Sequence, residues 1–133
     1  MHVRSVHHVA FAVSDLDEAV QTYERFFGAR VELRDRMETE GVEAVYLRVG
    51  DGRIELVTPL AADTPVGRFL ASRGPGMHHV AFEVSDIGQA IEDLSAAGAE
   101  VIDREPRPGL AGREVAFVHP DSLYGVLAEV VGG

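Results

Sequence analysis

The feature that most constrains this chain is a stretch of fourteen residues that occurs twice. Residues 7–20 read HHVAFAVSDLDEAV and residues 78–91 read HHVAFEVSDIGQAI, so nine of the fourteen positions are identical at an offset of 71. A period of this length exceeds that of solenoid repeats, which indicates two paired half-domains rather than a repeat array. The function is therefore expected to depend on what two copies of one histidine-bearing strand build together.

The first module has the pattern of a strand, a helix and three more strands. Residues 5–13 alternate in side-chain character as a strand does, and they precede a helix that Ser14 or Asp15 begins and Gly28 ends. Further strands are predicted at 30–37, 42–49 and 53–60, with a loop at 37–41. The predicted order of this module is β-α-β-β-β.

The second module repeats this order after a linker. Thr64 and Pro65 are typical of the start of a short helix inside the linker. Module two is predicted to have strands at 77–84, 99–105, 113–119 and 126–131, a helix from Asp86 to about Ala97, and a loop at 106–112. We predict an α+β fold in one domain over residues 1–133, with module one at about 3–60, the linker at 61–76 and module two at 77–131.

Composition excludes several classes of partner. Lys and Arg number 12 against 22 Asp and Glu, and the resulting net charge of −10 argues against nucleic acid or an anionic membrane surface. The chain has no cysteine, so it has no disulfides and no thiolate chemistry. No apolar run approaches the length of a membrane span, and few residues precede the first strand. We expect a cytoplasmic protein, or a mature form whose leader is missing.

Each module contributes one histidine on its first strand and one glutamate on its fourth. Both histidines share a face with small residues, and both glutamates stand mid-strand between apolar residues. An ionised carboxylate in such a strand is costly unless it is paired or bound to a metal. Two imidazoles and two carboxylates suit a divalent cation that keeps positions open for substrate oxygens. The residues predicted to form this metal site are His8, Glu55, His79 and Glu129.

Taken singly, these residues have a simpler interpretation. A lone strand histidine is usually a core or surface residue, and a lone strand glutamate usually faces solvent. The recurrence of both at equivalent places in the two modules favours the metal site. His7 and His78 face the other way by strand parity, and we predict that they are structural.

Several stretches together resemble the vicinal oxygen chelate superfamily and, within it, the methylmalonyl-CoA epimerase family over nearly the full chain. They are HHVAFAVSDLDEAVQTYERFFG, RIELVTPLAADTPVGRFLASRG, GMHHVAFEVSDI, EPRPGLAGREVAFVHP and GVLAEV. The resemblance implies that the two βαβββ modules form a curved, half-barrel mixed sheet around the metal. By position, the four metal ligands of that family fall on His8, Glu55, His79 and Glu129. It also implies cobalt as the usual metal, other divalent ions as substitutes, and a homodimer.

The reaction that the resemblance implies is the interconversion of (2R)- and (2S)-methylmalonyl-CoA. A base removes the proton α to the thioester, a metal-chelated enolate forms, and an acid returns a proton to the opposite face. Glu129 stands at a position that is both ligand and base. Some relatives have a second glutamate three residues after the glycine that matches Gly41, but here that residue is Ala44 and the glutamate is Glu43. Either a one-residue deletion restores the register, or Glu43 faces the wrong side of its strand.

The acyl-CoA substrate carries phosphates that an acidic protein has to meet locally. Arg104, Arg107 and Arg113 flank the Pro/Gly loop and are candidates for this role, with ordinary surface arginines as the alternative. Rival functions on the same scaffold are a glyoxalase-type lyase or isomerase, an extradiol dioxygenase and a metal-free drug-binding protein. Retention of all four ligands argues against the last.

Overall fold

Both copies of the repeated stretch form the end of a strand followed by a helix. The structure is a computed structural model that describes all of residues 1–133. In chain order its elements are β1 (Val3–Ala12), α1 (Leu16–Phe27), β2 (Arg30–Met37), β3 (Val42–Val49), β4 (Gly52–Pro59), α2 (Pro65–Arg73), β5 (Gly76–Val84), α3 (Ile87–Ala96), β6 (Arg107–Pro108), β7 (Glu114–Val118) and β8 (Ala128–Gly132). Short 3-10 helices lie at Glu38–Glu40, Leu110–Gly112 and Pro120–Leu123.

The chain divides into two units, and β1 contributes to both. The first unit is Val9–His78, and the second unit combines Met1–His8 with His79–Gly133. His8 therefore belongs to the same unit as His79, although the repeat assigns the two histidines to different modules.

In the first unit the strand order is β2-β3-β4-β1. The β4–β1 pair is parallel and the other two pairs are antiparallel. Helix α1 covers one face, where Leu16 and Val20 are buried with side chains of β3 and β4. The helix begins where the Asp15 carboxylate accepts a hydrogen bond from the Glu18 amide at 3.0 Å, and it ends at Gly28 with a φ of 65°.

In the second unit the order is β1-β5-β8-β7-β6. The β5–β8 pair is parallel, and β7 pairs antiparallel with both β8 and β6. Helix α3 is capped by Asp86 in the way that Asp15 caps α1, and it buries Ile87 and Ile91 against this sheet. Each unit is therefore a mixed sheet with a helix on one face.

The predicted order of elements is confirmed in module one, and the linker helix begins at Pro65 with Thr64 as its cap. The prediction of a strand at 99–105 is wrong. Only an isolated bridge joins Val101 to Val118 there, and the short strand β6 comes later, inside the predicted loop. The physical reason is that the Asp103 carboxylate accepts from the Phe117 amide at 2.9 Å, in place of a neighbouring backbone carbonyl.

The predicted loop at 37–41 contains the 3-10 helix Glu38–Glu40, which ends at Gly41 with a φ of 69°. None of the helices combines the length and the apolar character that crossing a bilayer requires.

Candidate metal centre

The two predicted histidine ligands meet in the second unit. His8 on β1 and His79 on β5 are 2% and 5% exposed, and their Nε2 atoms lie 3.3 Å apart. Ala81 on the face of His79 is fully buried and small, which leaves room for the imidazole beside it. The two Nε2 atoms are close enough to share one hydrogen bond, and a third donor group beside them would complete a site for a cation.

The carboxylate of Glu129 supplies that group. Its Oε1 lies 3.6 Å from His8 Nε2 and 3.9 Å from His79 Nε2, and the side chain is buried in β8. Two ligands about 2.1 Å from one ion stand about 3.0–3.4 Å apart, so these separations are close to those of a coordination sphere. Two nitrogens and one oxygen form a donor set that binds first-row divalent metals. The three side chains therefore fit a divalent cation.

Glu55 occupies the equivalent place in the first unit. It pairs in register with Ala10, and Glu129 pairs in register with Ala81. In each case the partner is the small residue two positions after the predicted histidine ligand. Glu55 is 8% exposed in β4, so its carboxylate is buried and needs a compensating polar group or cation. Its assignment as the fourth ligand remains a prediction.

Glu43 lies on the face of the first unit's sheet that is opposite to the face of Glu55. It pairs in register with Thr58, whereas Glu55 pairs with Tyr46, so the two glutamates point to opposite faces. The face of Glu43 is the one that α1 covers. This placement argues against the prediction that Glu43 is a second base, because a base and a ligand of one site have to reach the same face.

The carboxylate of Glu43 instead binds Arg34. Arg34 donates to Glu43 Oε2 at 2.9 Å and to Asp17 Oδ1 at 2.6 Å. Hydrogen bonds to Asp17 and Glu43 raise the pKa of Arg34 above its usual value. The cluster links α1 to β2 and β3, which is a structural role.

Among the three arginines proposed for anions, Arg113 is engaged within the protein. Its Nη2 donates to Glu83 Oε2 at 2.8 Å and its Nε donates to the Gly132 carbonyl at 3.1 Å. The Arg113 guanidinium holds the pKa of the Glu83 carboxyl below its usual value. An arginine with both ends committed is not available to a phosphate.

Arg107 lies beside an aromatic ring that contacts one predicted ligand. Its Nε stands 3.1 Å from Asp103 Oδ1, and its guanidinium stacks over the Phe117 ring at 5.5 Å. The same ring meets His79 edge-on, with centroids 5.5 Å apart. Arg104 is exposed. Arg107 is therefore the arginine that approaches the metal centre through one aromatic contact.

The two histidines that were predicted to be structural differ in their contacts. His78 meets Phe69 edge-on, with ring centroids 4.9 Å apart. His7 approaches His8 with the two Nδ1 atoms 2.8 Å apart, and its Nε2 lies 3.4 Å from Arg113 Nη1. Strand parity alone missed this contact, because it assigns neighbouring side chains to opposite faces. The doublet of adjacent histidines was the only signal in the sequence.

Comparison with known proteins finds a family profile and named relatives that resemble this chain. A profile of the Glyoxalase/Bleomycin resistance protein/Dioxygenase superfamily matches residues 7–117. The ethylmalonyl-CoA/methylmalonyl-CoA epimerase of Cereibacter sphaeroides is 36% identical over 127 residues, which cover 94% of this chain and 95% of that protein. The mitochondrial methylmalonyl-CoA epimerase of Homo sapiens is 36% identical over 126 residues, 94% of this chain and 72% of that protein.

A solved structure is similar in three dimensions as well. It is a methylmalonyl-CoA epimerase in complex with methylmalonyl-CoA and NH4+, with a TM-score of 0.96 and 32% sequence identity. The match covers 99% of this chain and 96% of that chain.

Proposed function

The chain belongs to the Glyoxalase/Bleomycin resistance protein/Dioxygenase superfamily, and we propose that it is a methylmalonyl-CoA epimerase. It has the mixed-sheet fold of that superfamily, as the resemblance in the sequence implied. The reaction removes the proton α to the thioester of an acyl-CoA and returns one to the opposite face. The observation that carries the proposal is the convergence of His8, His79 and Glu129 on one buried place, in a chain that is 36% identical to two named epimerases of this substrate.

The protein groups that hold the cation are His8, His79 and Glu129, with Glu55 proposed as the fourth. When bound, a divalent cation supplies positive charge to the carboxylate and thioester oxygens of the substrate, which makes the α-proton more acidic. Burial of the three side chains keeps water away and strengthens their interaction with charge that develops in the reaction. Glu129 is the proposed proton acceptor on one face, since it is the carboxylate of the cluster.

We propose that Glu43 is not the second proton-transfer group. Glu43 faces α1, and the residue on the ligand face at this level is Ala44, which is 1% exposed. We therefore propose that Glu129 performs the exchange on one face, and that the opposite face is served by a group other than Glu43.

Proton exchange in deuterated water tests the function. Each epimer of methylmalonyl-CoA is incubated with the protein and a divalent metal, and loss of the α-proton signal is followed by NMR. We expect exchange with the wild type, and its loss in His79→Ala and in Glu129→Ala. Unchanged exchange in both variants would reject the assignment of the site.

The same preparation separates the rival functions. A glyoxalase-type lyase or isomerase would convert a glutathione hemithioacetal faster than it exchanges methylmalonyl-CoA. A metal-free drug-binding protein would contain no stoichiometric metal after purification without chelators.

We further propose cobalt as the physiological metal, a homodimer as the working form and the cytoplasm as its location. Elemental analysis of protein purified from cells, sedimentation equilibrium and cell fractionation test these three points. The buried His/His/carboxylate donor set supports a first-row metal.

A further inference from the structure

An aromatic ring lies directly beside the proposed proton acceptor. Phe117 on β7 pairs in register with Glu129 on β8, so the two side chains project from the same face of the sheet as cross-strand neighbours. The Phe117 ring also meets the His79 ring edge-on, with centroids 5.5 Å apart and planes at 89°. Phe117 therefore lies beside the place where His8, His79 and Glu129 converge, and all four residues belong to the second unit.

The Phe117 ring is fixed from two directions. The Arg107 guanidinium carbon lies over one face of the ring, 5.5 Å from its centroid, and Arg107 Nε lies 3.1 Å from Asp103 Oδ1. The Asp103 carboxylate also accepts from the Phe117 amide at 2.9 Å. One carboxylate thus binds both the backbone of Phe117 and the arginine above its ring. The ring is therefore a fixed boundary of the space beside Glu129.

Accessible apolar surface is unevenly distributed among the neighbours of Glu129 on this face. Ala81 pairs with Glu129 from the other side and is 0% exposed, and Val131, two residues further along β8, is 0% exposed as well. Phe117 and Leu127 are only partly buried. Leu127 precedes β8, whereas Phe117 lies within β7 and contacts a predicted metal ligand. A small apolar group next to the Glu129 carboxylate therefore meets the Phe117 ring.

The proposed reaction brings such a group to this place. The α-carbon of a methylmalonyl thioester carries a carboxylate, a thioester carbonyl, a proton and a methyl group. The proton has to face the acceptor Glu129, and the carboxylate and thioester oxygens have to face the cation. The remaining substituent, the methyl group, gains free energy by leaving water for apolar surface. The Phe117 ring supplies that surface next to Glu129.

We propose that Phe117 is a specificity-determining residue, because its ring forms the wall against which the α-alkyl group of the acyl-CoA packs. This inference rests on the proposed function, and it names the substituent that the same site accepts. In an apolar pocket one additional methylene changes kcat/KM by about tenfold or more. A fixed ring beside the α-carbon therefore makes the wild type discriminate against α-alkyl groups longer than those it accommodates.

The test is the ratio of kcat/KM for propylmalonyl-CoA to that for methylmalonyl-CoA, both followed by α-proton exchange. We expect Phe117→Ala to raise this ratio about tenfold or more, because loss of the ring opens space for the two additional methylenes. Phe69→Ala is the matched control, since Phe69 is also a partly exposed phenylalanine that meets a histidine edge-on, with centroids 4.9 Å apart. The control should keep the ratio within about twofold of the wild type.

A merely structural role of Phe117 has a different signature. If the ring only supports His79, Phe117→Ala should lower kcat/KM for both thioesters by the same factor and leave their ratio unchanged. An unchanged ratio would overturn the proposal while the epimerase function stands, and so would an equal rise of the ratio in Phe69→Ala. Absence of exchange with either thioester in the wild type would overturn the proposed function and this inference together.

A measurement on the wild type decides the matter if Phe117→Ala does not fold. Methylmalonyl-CoA with a ¹³C-labelled methyl group is added to protein that is loaded with Zn²⁺ and contains labelled phenylalanine. We expect nuclear Overhauser effects between the α-methyl protons and the ring of Phe117. A methyl group with such effects only to other side chains would contradict the proposal.

Discussion

Three glutamates in similar strands have two different roles because of the groups beside them. Glu129 lies between two buried imidazoles, where a cation would compensate its charge. Glu43 is paired with Arg34 on the helix-covered face, and Glu83 is paired with Arg113. A carboxylate that accepts a hydrogen bond from an arginine is occupied by that partner, and so it is a poor proton acceptor. At the residue scale, the partner determines the role more than the position in the strand.

The first prediction concerns Glu43. We expect Glu43→Gln to keep the rate of α-proton exchange within about threefold of the wild type, because its carboxylate faces α1 and binds Arg34. Glu129→Gln, measured in the same assay, should lose exchange by about a hundredfold or more. A loss in Glu43→Gln as large as that in Glu129→Gln would restore Glu43 as a base.

The second prediction concerns the pH dependence of stability through Glu83. Hydrogen bonding to Arg113 lowers the pKa of Glu83 in the folded chain below its usual value of 4.5. The ion pair therefore stabilises the fold above that pH, and this contribution is lost as the pH falls through the lowered folded pKa. We expect Glu83→Gln to reduce the free energy of unfolding at pH 7 by about 1 kcal/mol.

Urea unfolding at several pH values checks this expectation. The difference between the wild type and Glu83→Gln should shrink in acid, once the wild-type carboxyl is protonated as well. Glu92→Gln, at an exposed position of α3, should differ from the wild type by less than about 0.5 kcal/mol throughout. A Glu83→Gln deficit that does not change with pH would indicate lost packing rather than lost charge.

At the scale of elements, the two copies of the repeated stretch begin their helices in the same way and end them differently. Asp15 and Asp86 cap α1 and α3 through the same contact to the third residue beyond. Helix α1 ends at a left-handed glycine, whereas α3 ends at Ala97 in ordinary helical geometry. The start of each helix was therefore kept in both copies, and the connection to the following strand was not.

The third prediction compares glycines of two helices. A Cβ on Gly67 of α2 would stand 2.4 Å from the Ala62 carbonyl oxygen, and backbone cannot move aside cheaply. A Cβ on Gly88 of α3 would approach no atom closer than 3.6 Å. We expect Gly67→Ala to destabilise the protein by about 2 kcal/mol or more, and Gly88→Ala to stabilise it by about 0.5–1 kcal/mol.

Thermal and urea unfolding of both variants measure this difference. The pair controls for the change from glycine to alanine in a helix, so only the neighbouring carbonyls distinguish the two sites. Equal stability of the two variants would show that the segment before α2 moves aside without cost.

At the scale of the whole molecule, the net negative charge favours binding of the cation and opposes binding of the anionic substrate. A net charge of −10 attracts divalent cations and repels the phosphates of an acyl-CoA. The anionic ends of the substrate therefore need local arginines, of which Arg113 is committed to Glu83 and Arg107 lies against Phe117. Arg107 also lies 3.1 Å from Asp103, so both candidate arginines already have a carboxylate partner.

The fourth prediction is that metal binding stabilises the folded protein. A ligand that binds only the folded state at a hundred times its Kd contributes about 2.7 kcal/mol, which raises the Tm of a domain of this size by about 10 °C. Differential scanning fluorimetry with Co²⁺, and again after a chelator, measures the shift. We expect no shift in His79→Ala, and a rise there as large as in the wild type would place the cation elsewhere.

The sequence by itself determined the order of helices and strands in module one and the caps at Asp15 and Asp86. It also placed one histidine on the first strand and one glutamate on the fourth strand of each module. The reason is that periodicity, capping and repetition depend on residues near one another in the chain. Only the tertiary structure decided that His8, His79 and Glu129 meet, that Glu43 faces α1, and that His7 reaches His8. It also decided that 99–105 is not a strand, because the Asp103 side chain binds Phe117, fourteen residues away. These outcomes depend on strand register and on side-chain contacts between distant residues, which local patterns do not encode.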